Sequence, residues 1–258
     1  MIVAADTLTT IGQEAHEGTK LTAFWTQAGA FAFVDSSDDA NATQSLSLEV
    51  KREIENQTPE SYEDLGKIIK SVMTEWRRGF GARKPPSSAL IVGAKIRTDC
   101  DMGLFLCEPP NTFRPVSDYV AMGAGASVTD FLHNYLFSHL SGEYIDVQAV
   151  LRRIAYMLYR AKKDTIVCGK RSHAAVISTH TALPVLVDMD ALAHAETMSA
   201  NLDTLLSAVA EFALDSTSET VKSKLADLMA MLESSEVRST RFRDDRYGEE
   251  ITTWIKGK

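Results

Sequence analysis

The chain has 258 residues, of which 45% are hydrophobic and 24% charged, and its formal net charge is −8. These values are ordinary for a globular protein that buries a full core. The acidic balance argues against nucleic acid or an anionic membrane as the main partner, because both reward a basic surface. We therefore expect neither nucleic acid nor a membrane among its partners.

The hydropathy pattern and the cysteine and histidine positions indicate the cellular compartment and whether the protein holds a metal. No apolar run approaches the ~18 residues that span a bilayer, and no signal-peptide pattern opens the sequence, so we expect a cytoplasmic protein. The three cysteines, Cys100, Cys107 and Cys168, form no Cys-x-x-Cys pair and suit no disulfide framework. The six histidines show no metal-ligand spacing. We expect no metal and no cofactor.

The first elements are predicted to be strands. The apolar residues 2–5 and the β-branched residues after them indicate a strand that continues to position 10. Residues 21–33 predict two short strands around a turn at Thr26 and Gln27.

Two helices are predicted next. The segment 35–38, Asp-Ser-Ser-Asp, has the composition of a helix N-cap and precedes a helical pattern over 41–57. Thr58 and Pro59 predict the start of the second helix, with Thr58 as N-cap and Pro59 at the first helical position. The apolar stripe of that helix runs through residues 65–76.

Three more strands, two helices and a last strand complete the predicted core. The strands are expected over 88–96, 101–109 and 118–125, the helices over 127–140 and 146–163, and the last strand over 173–179. In the first of these helices we expect Phe131, Leu132, Tyr135 and Leu136 to face inward. After Pro184 the sequence becomes helical and increasingly charged. Its apolar stripe, which includes Leu202 and Leu206, is expected to pack on the domain or on a neighbouring subunit.

The order of these elements predicts the fold class. A doubly wound parallel sheet would alternate strand and helix, whereas here strands and helix pairs come in blocks. We predict an α+β protein in which two central sheets lie between helix pairs, followed by a C-terminal helical extension. The predicted division is a domain over residues 1–185 and an extension over 186–258.

Four landmarks resemble the proteasome β-subunit and bacterial HslV family of N-terminal-nucleophile hydrolases. They are IVAADTLTT from position 2, GTKL at 18–21, MGAGAS at 122–127, and the amphipathic helix that runs into Asp164 and Cys168. The resemblance covers about residues 2–179. It implies a four-layer αββα sandwich that assembles into homo-oligomeric rings and hydrolyses peptides or unfolded proteins. An ATPase unfoldase would be the partner for folded substrates.

In that family a threonine at the chain start attacks the peptide carbonyl, and its own α-amine serves as base. A buried lysine lowers the proton affinity of the amine, and a carboxylate holds the lysine. The resemblance makes Lys20 this lysine, Asp6 its carboxylate and Asp164 the second carboxylate near the amine.

Several positions depart from the family pattern. The strand that ends at Asp6 should be preceded by one that begins with the nucleophilic threonine, and the sequence contains no such position. The glycines of the oxyanion turn align near Asp35 and Ser36, where a carboxylate would oppose the developing charge. The supporting serines align with Ala124, next to Gly125 in the small-residue turn, and with Val167 or Cys168.

Two hypotheses follow from these departures. The first is a threonine peptidase whose sequence starts too late, through a misassigned start or a truncation. The second is a non-catalytic, proteasome-like subunit retained for assembly or binding. A weaker third alternative is an unrelated α+β binding domain.

Overall fold

A computed structural model describes the chain over residues 1–6, 8–11, 14–17, 20–37, 40–99, 101–138, 146–165, 168–179 and 183–214, with positions 222, 223, 226 and 230 beyond. The strands are β1 Ile2–Asp6, β2 Leu8–Ile11, β3 Glu14–Glu17, β4 Leu21–Thr26, β5 Gly29–Ser37, β6 Ser88–Ile96, β7 Gly103–Glu108, β8 Thr112–Val116, β9 Ser172–Val176 and β10 Val185–Leu186. The helices are α1 Ala40–Gln57, α2 Tyr62–Arg78, α3 Ala126–Phe137, α4 Val147–Asp164 and α5 Met189–Leu214. Within these ranges, none of the helices combines the length and the apolar character needed to cross a membrane.

Two antiparallel sheets form the centre of the molecule. One has the order β4-β5-β6-β7-β8 and the other the order β1-β9-β10, while β2 and β3 form a separate hairpin. Three cores separate the layers: one between α1–α2 and the five-stranded sheet, one between the sheets, and one between the three-stranded sheet and α4–α5. The predicted α+β fold, a four-layer αββα sandwich, is therefore confirmed.

The alternation of side chains along β5 shows why the layers form. Phe31 and Phe33 belong to the core under α1 and α2, whereas Ala30, Ala32 and Val34 belong to the core between the sheets. Successive residues of a strand point to opposite faces, so one strand supplies both cores. Large side chains lie toward the helices and mostly small ones toward the second sheet.

The short strand β1 is placed by β9. Ile2 pairs with Val176 and Asp6 pairs with Ser172 in the antiparallel register. The Met1 nitrogen donates to the Ile177 carbonyl at 2.8 Å and extends this ladder. Within the described residues, β1 pairs with β9 alone and forms the edge of its sheet.

The predicted N-caps within 35–37 and at Thr58 are wrong, and position 38 lies outside the described residues; the first helix itself begins at Ala40, one residue before the predicted start. Asp35 lies inside β5 and pairs with Leu90 of β6, so the strand runs through this polar segment to Ser37. The second helix begins at Tyr62 with Ser61 as N-cap, whose hydroxyl accepts from the Asp64 N–H at 3.1 Å. Thr58 belongs to the end of α1, since its N–H donates to the Ile54 carbonyl at 3.0 Å.

The predicted strand over 118–125 is also wrong, and β8 was not predicted. Residues 118–125 form an irregular segment whose apolar Val120 and Met122 pack at the inter-sheet core. The strand next to β7 is Thr112–Val116, which contains Pro115. A proline is tolerated there because β8 is the last strand of its sheet.

In α3, only part of the predicted inward stripe is buried. Leu132 is 7% exposed, but Phe131 and Tyr135 are 72% and 69% exposed, so the prediction is wrong for these two aromatic side chains. In α5, Leu192 is fully buried against α4 and β9, whereas Leu202 and Leu206 are exposed. The proposed boundary at position 186 stays a prediction.

Candidate active site

A cavity of about 900 Å³ runs along β1 inside the sandwich. Its walls are residues 1–6, the end of β5, the segment 118–125, and side chains from α3 and α4. It therefore follows the full length of the edge strand. Most of the side chains from β1 and from the segment 118–125 are apolar, and charged groups lie where β1 ends.

Asp6 and Lys20 form an ion pair at that end of the cavity. The Lys20 Nζ contacts the Asp6 Oδ1, and the two side chains are 19% and 15% exposed. The second carboxylate oxygen of Asp6 accepts from the backbone N–H of Gly169 at 2.7 Å. Lys20 is fixed through its carbonyl, which accepts from the Asp35 N–H at 3.1 Å. The arrangement presents a cation, held in place by a carboxylate, to the cavity.

Cys168 lies beside this pair. Burial raises the pKa of the Cys168 thiol, and the negative charge of Asp6 raises it further. A Cβ at Gly125 would lie 2.9 Å from the Ala161 Cβ and 3.3 Å from the Cys168 Sγ, so only glycine allows this approach. The turn 123–125 at the start of α3 therefore packs against α4 and Cys168. Ala124, in the same turn, also lines the cavity.

The environment of Asp35 differs from what the sequence led us to expect. The residue is 3% exposed, and its carboxyl has Ser47 of α1 as hydrogen-bond partner, on the helix side of β5. Burial raises the pKa of Asp35 to about 8. The carboxyl is consequently mostly protonated at pH 7, although Asp35 is among the residues that line the cavity. Ser36, the next residue, lines the cavity opposite Gly123.

Asp164 lies apart from Asp6 and Lys20. Its Oδ2 accepts from Arg160 Nη2 at 3.0 Å, one helical turn back along α4. Its side chain is 36% exposed and borders a shallow pocket with Phe131 of α3, not the cavity along β1. The structure thus brings Asp6, Lys20 and Cys168 together and does not bring Asp164 to them.

Sequence reasoning missed an aromatic wall of the cavity. The rings of Tyr119 and His133 stack with centroids 3.9 Å apart, and His133 stacks on Phe137 at 5.0 Å. The Arg153 guanidinium lies 5.6 Å from the Phe137 centroid. Burial raises the pKa of Tyr119 to about 12. The spacing of His133 and Phe137, one helical turn apart, was the available signal.

No group of three or more candidate metal ligands occurs in the described part of the chain. The site residues are one carboxylate, one ammonium group and one thiol, together with backbone groups. This set can hold and polarise a reacting group through fixed charges and hydrogen bonds.

Known proteins similar to this chain were found by comparison of structures and not by comparison of sequences. No protein-family profile matches the sequence, and no curated protein matches it. A solved structure of Anbu (ancestral beta-subunit) from Yersinia bercovieri is similar, with a TM-score of 0.65 and 13% identity over 81% of this chain and 92% of that one. Anbu from Hyphomicrobium sp. strain MC1 has a TM-score of 0.58 and 10% identity over 94% and 95%.

A third similar structure is the helical assembly of the Anbu complex from Pseudomonas aeruginosa. Its TM-score is 0.60, with 15% identity over 80% of this chain and 91% of that one. The resemblance to the proteasome β-subunit and HslV is thereby corrected, because these neighbours are Anbu proteins, a distinct proteasome-like family. At such identities the likeness establishes the fold, which is the proteasome-like sandwich that Anbu proteins share.

Proposed function

We propose that the protein is a self-assembling, proteasome-like subunit that hydrolyses amide bonds with an N-terminal nucleophile. The observation that carries this proposal is the Asp6–Lys20 ion pair in the wall of the cavity along β1. A lysine cation held at a fixed position by a carboxylate is what activation of a nearby α-amine requires.

The cavity supports a location for the nucleophile. It follows β1 from residue 1 to Asp6, and β1 is the edge of its sheet within the described residues. An extended segment can add a strand to such an edge through main-chain hydrogen bonds. We propose that a segment N-terminal to Met1 in the native polypeptide occupies this edge and begins with a threonine.

The proposed chemistry uses the residues in defined roles. The threonine hydroxyl attacks the substrate carbonyl carbon, and its proton passes to the α-amine, which has a pKa near 8 in model peptides. The positive charge of Lys20 lowers the proton affinity of that amine, and Asp6 fixes Lys20. The C–N bond then breaks, the proton passes to the leaving amine, and water hydrolyses the ester that remains.

The environment of Asp35 supports catalysis. An ionised carboxylate near the oxyanion would raise the barrier. The Asp35 carboxyl has Ser47 as hydrogen-bond partner and is mostly protonated at pH 7, because burial raises its pKa to about 8. This weakens the electrostatic argument against catalysis that a carboxylate at position 35 raised, while the missing glycines and serines of the oxyanion turn still favour a non-catalytic subunit.

Self-assembly is the second part of the proposal. The similar protein from Pseudomonas aeruginosa forms a helical assembly. In this chain, Phe131 and Tyr135 of α3 and Leu206 of α5 are large apolar side chains at the surface. We propose that such faces are covered in a homo-oligomer, a ring or a related assembly. Peptides or unfolded segments would be the substrates, and an ATPase unfoldase the partner for folded proteins.

A non-catalytic subunit for assembly or binding is the alternative. The exposed apolar side chains of α3 and α5 favour it as much as they favour an enzyme, because they concern assembly alone. The two functions differ in what they require of Lys20, which an assembly subunit does not need.

The experiment combines the native N-terminus with a covalent probe. The protein is purified from its own cells, and intact mass and N-terminal sequencing identify the first residue. It is then incubated with a peptide epoxyketone, which reacts with the hydroxyl and the α-amine of one residue. We expect one adduct per chain at an N-terminal threonine. The variant Lys20→Ala should lose it, while the exposed-lysine control Lys67→Ala should keep it. If the mature chain starts at Met1 or Ile2, the proposed catalysis is excluded and only the assembly function remains.

A further inference from the structure

A second ion pair, between Lys162 and Glu196, joins α4 to α5. The Lys162 Nζ contacts both carboxylate oxygens of Glu196, at 2.9 and 2.8 Å, and each side chain is 13% exposed. The third donor of Lys162 reaches the Lys170 carbonyl at 3.0 Å. The Ser172 hydroxyl donates to Glu196 Oε1 at 2.6 Å. All three N–H donors of the lysine are therefore satisfied.

These contacts fix the loop 168–171 from both sides. On one side the Gly169 N–H holds the Asp6 carboxylate at 2.7 Å. On the other side Lys162 holds the carbonyl of the next residue, Lys170. Ser172, which Glu196 holds, is the strand partner of Asp6 in the register of β1 and β9. One half-buried ion pair thus contacts the loop and the residue paired with Asp6.

We propose that Lys162 and Glu196 are positioning residues that hold loop 168–171 on Asp6 and thereby couple helix α5 to the Asp6–Lys20 pair. As a role in catalysis, this rests on the proposed function. As a statement about the loop, it is independent of any activity. Removal of α5 contacts at Glu196 should release the loop, and with it the hydrogen bond from Gly169 to Asp6.

Cys168 lies in the loop and reports its position. Cys107 is fully buried and burial raises its pKa to about 12, so it does not react at neutral pH. Cys100 lies outside the described residues and is replaced by serine in every variant. The rate at which N-ethylmaleimide labels Cys168, read by peptide mass spectrometry, then measures how far the loop opens.

Whether labelling of Cys168 becomes faster or slower shows which role of Lys162 matters, the positioning of the loop or the effect of its charge on the thiol. The positive charge of Lys162 lowers the pKa of the Cys168 thiol, against burial and Asp6, which raise it. Loss of this charge alone would leave less thiolate and slow the labelling. Release of the loop would instead expose the thiol and speed the labelling.

The test uses Lys162→Met, Glu196→Leu, their double variant and a control. We expect each to label at Cys168 at least about tenfold faster than the parent. The double variant matters most, because replacing both charges by apolar groups often leaves stability unchanged. The control is Asp203→Asn, since Asp203 of α5 also pairs with α4 through Arg160 and Lys163 but has its contacts on α4. It should label within about twofold of the parent.

Slower or unchanged labelling in the folded double variant would overturn the proposal, as would equal acceleration by Asp203→Asn. The conservative variant Lys162→Arg retains the charge and the donors and should return labelling most of the way to the parent rate. If the epoxyketone adduct forms in the parent, the double variant should also form it more slowly. If the parent forms none while labelling changes as expected, the proposed function fails and the positioning of the loop stands.

Discussion

The two faces of the five-stranded sheet differ in what their side chains do. Toward α1 and α2, the sheet presents Phe31 and Phe33, which are fully buried in a closed aromatic and aliphatic core. Toward β1 and β9 it presents Ala30 and Ala32, and that side continues into the cavity with the Asp6–Lys20 pair. One layer is packed for stability. The other borders a cavity that contains a charged pair, so the packed core and the candidate site lie on opposite sides of the five-stranded sheet.

The sharpest test of the packed layer is Phe33→Ala. Phe33 is fully buried and forms an edge contact with Phe24 at 5.2 Å, so the substitution removes a large core side chain. We expect the free energy of unfolding to fall by about 3–5 kcal/mol, measured by urea denaturation. The matched control is Trp25→Ala, in the neighbouring strand, because Trp25 is 63% exposed. If both variants lost the same stability, the packed layer would not be the main source of it.

The cavity layer is tested by Asp6→Asn. An amide keeps the size of the side chain but carries no negative charge to balance Lys20. It also has one acceptor oxygen in place of the two that accept from Lys20 and Gly169. We expect the rate of epoxyketone adduct formation to fall by at least about 100-fold. The loss of unfolding free energy should stay within about 3 kcal/mol, because the pair is only partly exposed. A large loss of stability together with a normal adduct rate would show that the pair belongs to the scaffold.

The pattern of apolar residues predicted much of this fold, because apolar residues recur at regular intervals along most of its strands and helices. Strand β6, Ser88–Ile96, coincides with the predicted range, since a nine-residue run between turn signals fits a buried strand. Helices α1 and α4 lie within one residue of the predicted ranges at both ends. Strand β8 was missed because Pro115 and its polar neighbours resemble a loop until the sheet edge is known.

Composition and periodicity predicted the candidate site less well than the fold. The pairing of Asp6 with Lys20 was expected only from the family resemblance. The two residues are 14 positions apart, and no periodic pattern in the sequence links them. Glu196 is 34 positions from Lys162, and nothing in either helix marks the contact. Asp35 has an N-cap composition, and only the tertiary fold places it in a strand under α1. Charged pairs formed by chain crossings leave no periodic signal.

The pH dependence of stability gives a further test, because the carboxyl of Asp35 lies on the packed, helix side of the five-stranded sheet. Its pKa is raised from 3.8 to about 8 by burial, so the folded state keeps a proton that the unfolded chain releases. Between about pH 4 and pH 8 the contribution of Asp35 to the free energy of unfolding should therefore fall as pH rises, by up to about 1.4 kcal/mol per pH unit. Above about pH 8 this contribution becomes constant.

The variant Asp35→Asn removes this slope. Its stability relative to the parent should increase steadily from pH 5 to pH 8, as measured by urea denaturation at each pH. The control is Asp64→Asn, because hydrogen bonds from Ser61 and Lys67 lower the pKa of Asp64, and its pH effect lies below about pH 4. A constant difference between Asp35→Asn and the parent across this range would mean that the folded carboxyl ionises as freely as in the unfolded chain. An ionised Asp35 would then place a negative charge in the wall of the cavity, and the electrostatic objection to catalysis would return.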